Sequence, residues 1–323
     1  MKQTTALETI VDKGELASLG QQAQDFAAAA KAGNTLRAYQ ADWQDFRTWC
    51  EGHQVSPLPA TPQTVAIYIT DRAATLKTSS IARRLTTINR AHQAAGQPSP
   101  ATMQNAVVSE VWKGIKRKKG IAQHGKKPFL TPDLQRIIAA LPQDLTGIRD
   151  RALLLAGFAG GFRRSELAAL RVEDLEATPD GLIVRLGRSK TDQEGQGRVV
   201  ALPCGADPRT CPARAVHTWL ERAGIVAGPL FRAVDRFGLV SSRALHADSV
   251  GYLVKRAARR AGFETADYAG HSLRAGLATQ AAMNGASELS IMKQTGHRSL
   301  ATVRKYIREG TLFRDNAATK LGL

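Results

Sequence analysis

The chain is best interpreted from two stretches, AGHSLRAGLATQ (269–280) and QTGHRSLATVRKYIREG (294–310). Four side chains in them suit phosphate chemistry: His271, Arg274, His297 and Tyr306. Arginine offers a permanently charged fork of donors, histidine can move a proton near neutral pH, and tyrosine is a known covalent nucleophile. Carboxylates or thiolates at metal-ligand spacing are missing from this group. The combination indicates a phosphate clamp with an oxygen nucleophile.

The whole chain is strongly basic. Of its 323 residues, 45 are Lys or Arg and 28 are Asp or Glu, which gives a formal net charge of +17. This charge favours a polyanionic partner, with nucleic acid as the first candidate and a merely basic soluble enzyme as the alternative. Hydrophobic residues make up 43% of the chain, which argues against a disordered basic tail protein. The length suffices for two domains.

The sequence predicts a cytoplasmic protein with no membrane partner. It contains no run of about 18 apolar residues, and its first residues lack the apolar region of a signal peptide. The three cysteines, Cys50, Cys204 and Cys211, are odd in number and scattered in spacing. They predict neither a disulfide framework nor a zinc site, and they fit a reducing compartment.

Four helices are predicted in the N-terminal part. The first is expected to begin at Thr35 as N-cap, the second after 61–62, the third at residue 79 or 80, and the fourth over 107–115. The apolar period is lost after residue 115, and the stretch KGIKRKKGIAQHGKKP (113–128), into which the fourth helix runs, is interpreted as a strongly basic linker. That linker would follow a DNA backbone or serve as a solvated hinge.

The predicted domains are an all-helical, DNA-binding unit over 1–120, a linker over 121–128 and a catalytic unit over 129–323. The basic side chains expected to contact DNA phosphates, unless they form solvated faces, come from two helices and the linker region. They are Arg83, Arg84, Arg90, Lys116, Arg117, Lys118, Lys119, Lys255, Arg256 and Arg259.

The catalytic unit is predicted to be mostly helical with one small antiparallel sheet. GLIVRLG (181–187) and RVVALP (198–203) indicate two strands, and GRSKTDQEGQG (187–197) between them indicates an exposed turn that carries Lys190. Upstream, Arg163 and Glu166 are three residues apart at a helix start, so the carboxylate can reach back toward the arginine. That register favours Arg163 over its neighbour Arg164 as the functional arginine.

In order and spacing, these residues resemble the catalytic set of the tyrosine recombinases, the phage integrase family. The matching positions are Arg163, Lys190, His271, Arg274, His297 and Tyr306. The stretches WCEGHQVSPLPATPQTVAIYI and SSIARRLTTINRAHQAAG and the basic linker resemble the N-terminal core-binding domain of that family. The contexts GRSKT, GHSLRAG and VRKYIR are most similar to one phage recombinase within it. The resemblance implies a mainly α tyrosine recombinase fold.

The resemblance also implies a reaction. Tyr306 would attack a DNA phosphodiester in line, forming a 3′-phosphotyrosyl bond and releasing a 5′-hydroxyl. Arg163 and Arg274 would neutralise the phosphate oxygens, and His297 would add a hydrogen bond. Three further roles are implied: Lys190 as general acid, His271 as acceptor or orienter of the tyrosine proton, and Glu166 as support for the arginine or His271. No metal and no nucleotide cofactor would be needed.

The implied partner is double-stranded DNA with inverted-repeat recombination sites, bound by a homo-oligomer, a tetramer on two duplexes. The tail GTLFRDNAATKLGL (310–323) would dock on a neighbouring subunit, or alternatively fold onto its own domain. Two other functions share this fold: a topoisomerase that relaxes DNA by the same chemistry, and a non-catalytic DNA-binding accessory protein.

Overall fold

The structure is a computed structural model that describes residues 18–19, 21–22, 33–120, 125–187, 197–311, 318 and 321. Lys190 and almost all of the tail lie outside the described residues. The chain divides into two compact units, Met1–His124 and Gly125–Leu323, each with its own hydrophobic core.

The N-terminal unit contains four described helices: α1 (Gly33–Gly52), α2 (Pro62–Ala73), α3 (Thr78–Ala94) and α4 (Ala106–Lys119). The start of α2 shows why the predicted signals work. Pro62 has no N–H to satisfy in the first turn, and the Thr61 hydroxyl accepts a hydrogen bond from the N–H of Thr64 at 3.1 Å. The aromatic and branched residues of the four helices form one core, which includes Phe46, Trp49, Tyr68, Ile69, Ile81, Ile88, Val108 and Trp112.

Three predicted boundaries in this unit are wrong. Helix α1 begins two residues before Thr35, and α3 begins at Thr78 with Lys77 as its N-cap. Helix α4 continues through Lys119 and ends only at Gly120, whose φ of +73° suits glycine. The apolar period does end at 115, but the basic residues that follow favour the negative end of the helix dipole. Lys116 to Lys119 are therefore the last helical turn and not a linker.

The C-terminal unit contains eight helices in the described residues. They are α5 (Thr131–Ala139), α6 (Leu145–Ala159), α7 (Arg164–Ala169), α8 (Pro212–Ala223), α9 (Ala247–Arg260), α10 (His271–Met283), α11 (Glu288–Thr295) and α12 (Leu300–Thr311). A single 3₁₀ turn spans Val172–Asp174. The apolar helix α6 lies at the centre of the core, where Leu153 and Leu154 are fully buried with Phe162 and Trp219.

Two small antiparallel sheets accompany these helices. Strands β1 (Leu175–Thr178), β2 (Gly181–Leu186) and β3 (Arg198–Pro203) are adjacent in that order, and β4 (Arg232–Val234) pairs with β5 (Val240–Ala244). The mainly α fold class and the strands β2 and β3 are confirmed. The prediction of a single sheet is wrong, because β5, VSSRA, is short, polar and largely exposed and carries no alternating apolar signal.

Within the described ranges, no helix is long and apolar enough to cross a membrane.

Candidate active site

The candidate site begins at the start of α7. Arg163 is the N-cap of this helix and Glu166 is its third residue, so the carboxylate returns to accept the backbone N–H of Arg163 at 2.9 Å. The guanidinium of Arg163 also forms an ion pair with Glu166, as the spacing predicts, and donates to Gly296 O at 3.3 Å. The neighbouring Arg164 is half-exposed and pairs with Asp248 instead. Of the two adjacent arginines, Arg163 is the one in the cluster.

A second arginine, Arg198, holds the same carboxylate from β3. It donates to Glu166 at 2.9 Å and to Gln294 O, at the end of α11, at 2.7 Å. Glu166 is buried, which by itself would raise its pKa. The hydrogen bonds from Arg163 and the charge of Arg198 outweigh burial, so the pKa of Glu166 lies below its ordinary value. Glu166 therefore remains an anion that joins α7, β3 and the end of α11.

The third arginine, Arg274 on α10, is almost fully enclosed, with 1% of its surface exposed. One amino group, Nη1, donates to Gly161 O at 2.7 Å and to Thr295 O. The other, Nη2, is buried and has no hydrogen-bond partner among the described residues. Burial, with the nearby charge of Arg163, lowers the pKa of Arg274 to about 10, so it is still a cation at neutral pH. A buried N–H group without an acceptor is costly unless a ligand supplies one.

Helix α10 and helix α12 bring a histidine to the tyrosine. His271, the first residue of α10, lies with its Nε2 2.7 Å from the hydroxyl oxygen of Tyr306 on α12. Desolvation and the charges of Arg274 and Arg163 lower the pKa of His271 below its ordinary value. The imidazole is therefore neutral at pH 7 and can accept the phenolic proton.

The second histidine, His297, follows the left-handed Gly296 that ends α11. Desolvation and the charges of Arg274 and Arg163 lower the pKa of His297 to about 3, so the ring is neutral. Thr295 Oγ1 lies 2.6 Å from Ile291 O and 2.7 Å from His297 Nδ1. Because the carbonyl can only accept, the single hydroxyl proton goes to it, and His297 Nδ1–H donates to Oγ1. This assigns Nε2 of His297 as an acceptor in the ligand-free protein.

The structure thus brings six side chains together: Arg163, Glu166, His271, Arg274 and His297 surround the position of Tyr306 on α12. Lys190 belongs to a segment outside the described residues. Arg198 was missed by sequence reasoning. The available signal was an arginine at the start of an otherwise apolar strand, but only the structure shows it reaching Glu166 and Gln294.

The arginines predicted to contact DNA from the N-terminal unit are largely engaged in ion pairs. Arg83 donates to Asp42 at 2.6 and 3.0 Å, and Arg84 contacts Asp42 at 3.3 Å and Asp45 at 3.2 Å. Arg90 lies over the ring of Tyr39, 5.4 Å from its centroid. Arg84 is mostly buried, so its guanidinium stabilises the fold of the N-terminal unit through these ion pairs.

The basic residues of the two remaining predicted segments differ among themselves. On α4, Lys116 lies over the Trp112 ring, and Lys119 donates to Ala73 O and to Leu76 O. Arg117, Lys118 and Lys119 are exposed. On α9, Arg256 forms an ion pair with the buried Asp150 at 2.6 Å. Lys255 and Arg259 on the same helix are exposed.

Comparison with known proteins gives the family. The model described as "Phage integrase family" matches residues 129–311, and "Phage integrase, N-terminal SAM-like domain" matches residues 26–97. An integrase/recombinase XerD homologue of Selenomonas ruminantium is 41% identical over 296 residues, covering 90% of this chain and 86% of the relative. The phage recombinase whose motif contexts are similar, Cre of Escherichia phage P1, is 26% identical over 82% of this chain and 81% of its own. The XerD homologue is therefore the more similar of the two.

Solved structures agree on the fold. XerH recombinase in a post-cleavage complex with palindromic difH substrate superposes with a TM-score of 0.59 at 16% identity, over 81% of this chain and 71% of the other. A lambda integrase dimer bound to a COC′ core site gives 0.59 at 14% identity, over 93% and 78%. With both predicted domains matched by family models, this chain belongs to the phage integrase family of tyrosine recombinases.

Proposed function

We propose that the chain is a site-specific DNA recombinase that cleaves and rejoins strands through a 3′-phosphotyrosyl bond on Tyr306. The observation that carries this proposal is the buried Nη2 of Arg274, which has no acceptor among the described residues. It belongs to a cluster of three arginines to which the described part of the chain contributes one carboxylate, that of Glu166. This cluster lies next to a tyrosine hydroxyl in contact with a neutral histidine. A phosphodiester supplies the missing acceptor and the missing negative charge.

Each step of the proposed reaction is assigned to a group in this cluster. Arg274 and Arg163 bind the non-bridging oxygens and stabilise the charge that grows in the transition state. His271 accepts the phenolic proton of Tyr306 as its oxygen attacks phosphorus in line. The 5′-oxygen leaves, and the bond energy is conserved in the phosphotyrosyl linkage until another strand attacks it. The chemistry proposed here uses neither a metal nor a nucleotide.

His297 needs its proton on Nε2 to take its proposed role. Its Nε2 is an acceptor in the ligand-free protein, whereas a phosphate oxygen requires a donor. We propose that the neutral ring changes tautomer when DNA binds: the Thr295 hydroxyl turns to donate to Nδ1, and Nε2–H donates to the phosphate.

Lys190 is proposed as the general acid that protonates the leaving 5′-oxygen. The side chain lies outside the described residues, so this role rests on the family motif GRSKT and on the chemistry of an amine beside arginines. Lys190→Ala should slow cleavage of ordinary DNA and leave a substrate with a 5′-bridging sulfur unaffected, because a thiolate leaves without a proton. Equal slowing of both substrates would remove Lys190 from this role.

The proposed assembly is a tetramer on two duplexes with inverted-repeat sites, in which each tail docks on the next subunit. The C-terminal unit offers a groove of about 540 Å³ for it, lined by Leu134, Leu155, Phe158, Ala281 and Ile291. The apolar tail residues Leu312, Phe313, Ala317 and Leu321 suit such a groove. A variant lacking 311–323 should occupy one half-site but assemble poorly. Wild-type cooperativity of that variant in gel-shift titration would rule out docking.

The test of the proposed reaction is a suicide substrate, nicked near the cleavage site so that the released fragment diffuses away. Wild-type protein should accumulate a covalent DNA adduct, and Tyr306→Phe should bind the same DNA without forming it. Tyr252→Phe, which changes an exposed tyrosine on α9, is the matched control and should form the adduct normally. An adduct with Tyr306→Phe would refute the assignment. Relaxation of supercoiled DNA by the monomer, without strand exchange, would favour the topoisomerase function.

A further inference from the structure

Two cysteines of the C-terminal unit are close together, away from the candidate active site. Cys204 follows β3, where its N–H donates to Asp180 O at 2.8 Å, and Cys211 is the N-cap of α8. The N–H of Gly205 donates to Cys211 Sγ at 3.3 Å. A Cβ on Gly205 would lie 3.1 Å from Cys211 Cα, so the backbone next to Cys204 contacts that of Cys211. The chain therefore brings residues 204–205 against Cys211, and the Cys204 thiol is a hydrogen-bond neighbour of Cys211 Sγ. From this adjacency a disulfide can form.

The two sulfur atoms have different environments. Cys204 is exposed, whereas Cys211 is buried. Burial by itself would raise the pKa of Cys211. Hydrogen bonds from the N–H groups of Arg214 and Gly205, together with one from the Cys204 thiol, outweigh it and bring the pKa below its ordinary value. A thiolate at a helix N-terminus with two N–H donors is a stabilised nucleophile.

We infer that Cys204 and Cys211 form a modification site that closes reversibly into an intramolecular disulfide. In the first step the exposed Cys204 thiolate attacks a low-molecular-weight disulfide, forms a mixed disulfide and expels one small thiolate. In the second step the Cys211 thiolate attacks the Cys204 sulfur, closes the protein disulfide and expels the second small thiolate. Two protein thiols lose two electrons and two protons, and one small disulfide is reduced to two thiols. Cys204 is the entry residue because it is exposed, and Cys211 resolves because its sulfur is already beside Cys204.

The third cysteine is an internal control. Cys50 lies fully buried in the core of the N-terminal unit, and burial raises its pKa to about 11. It lacks both the access and the thiolate character that exchange requires. The inference does not depend on the proposed recombinase reaction, since it concerns no residue of that cluster.

The test incubates the full-length protein with oxidised glutathione, traps remaining thiols with an alkylating reagent and measures intact mass and cross-linked peptides. Wild-type protein should lose two hydrogens without a glutathione adduct and yield a peptide linking Cys204 to Cys211. Reduced glutathione in excess should reverse the change. Cys211→Ser should stop at a stable glutathione adduct on Cys204, Cys204→Ser should remain reduced at Cys211, and Cys50→Ser should behave as wild type.

Two results would overturn the inference. One is a wild-type protein that accumulates the glutathione adduct without the linked peptide. The other is a wild-type protein whose three thiols all remain alkylatable after unfolding. Both are read on the wild-type chain, so they hold even if a variant at Cys211 fails to fold.

Discussion

The two units of the chain contain arginine clusters with different charge balance. In the N-terminal unit, Arg72, Arg83 and Arg84 meet three carboxylates, those of Asp42, Asp45 and Asp71. The hydroxyl of Tyr68 also donates to Asp45 at 2.6 Å. In the C-terminal unit, two arginines, Arg163 and Arg198, pair with one described carboxylate, that of Glu166. A third arginine, Arg274, donates to backbone carbonyls, and its buried Nη2 lacks a partner among the described residues. The first cluster is paired within the protein, whereas for the second we propose that a DNA phosphate supplies the missing acceptor.

Arginine therefore has a different role in each of the two clusters. Buried ion pairs lose much of their stabilisation when one partner is removed, because the other charge is left without compensation. In the N-terminal unit that argument assigns Arg84 to the fold. In the C-terminal unit the protein accepts the cost of uncompensated positive charge, and burial together with that charge keeps the two nearby histidines neutral. Uncompensated charge of this kind is typical of functional sites, where a bound ligand of opposite charge offsets its cost.

Between the two arginine clusters, the largest expected effect comes from changing Arg274 to lysine, which keeps the positive charge and removes the forked set of donors. Cleavage should slow by about 10²–10³-fold, the loss typical of one transition-state donor. Binding of uncleaved DNA should change little, because the other basic residues proposed to contact phosphates are unchanged. Single-turnover cleavage measures the effect, with Arg84→Lys as the matched change in the balanced cluster. The comparison fails if both substitutions slow cleavage equally.

A smaller effect on rate is expected from His271. Because its pKa is lowered, the ring should remain neutral from pH 8 down to the ordinary histidine pKa, and the rate on subsaturating DNA should be flat over that range. Below it, protonation removes the acceptor for the Tyr306 proton, and the rate should fall. His271→Asn should cost about 10²-fold, at the low end for a general base. His217→Asn, on the exposed face of α8, is the control. A decline that begins above the ordinary pKa would contradict the neutral assignment.

Substitutions in the arginine cluster of the N-terminal unit should change the free energy of unfolding and leave the cleavage rate unchanged. Arg84→Met leaves Asp42 and Asp45 with one arginine each, and the free energy of unfolding should fall by about 1–3 kcal/mol, the cost of an incompletely satisfied buried group. Arg47→Met removes an exposed ion pair with Glu51 and should cost about 0–1 kcal/mol. Thermal unfolding of both variants makes the comparison. Adduct formation at saturating DNA should be unchanged in each, and its loss in Arg84→Met would place that arginine on the phosphate.

The sequence allowed prediction of those features that depend on the type and spacing of individual residues. The order of Arg163, His271, Arg274, His297 and Tyr306 identified the cluster, and helical spacing identified most helices. It failed where a partner is distant in the chain. Asp42 and Arg83 are 41 residues apart, and no periodicity shows that the one neutralises the other. Arg198 reaches Gln294 across 96 residues for the same reason.

The smallest expected effect is a difference in the salt dependence of DNA binding between substitutions of two neighbouring lysines, Lys118 and Lys119, on the last turn of α4. Lys119 donates to Ala73 O and Leu76 O near the end of α2, so its charge already stabilises carbonyl groups of the fold. Lys118 is exposed. If this turn follows a DNA backbone, Lys118→Ala should reduce the slope of log affinity against log salt by about 0.9, the value for one lost phosphate contact. Lys119→Ala should instead lower the unfolding temperature and leave most of the slope intact. Salt titrations of binding to specific and unrelated duplexes measure both, and the loss for Lys118 should be equal on the two sequences. An unchanged slope for Lys118→Ala would show that this turn faces solvent and that the basic end of α4 serves only the helix.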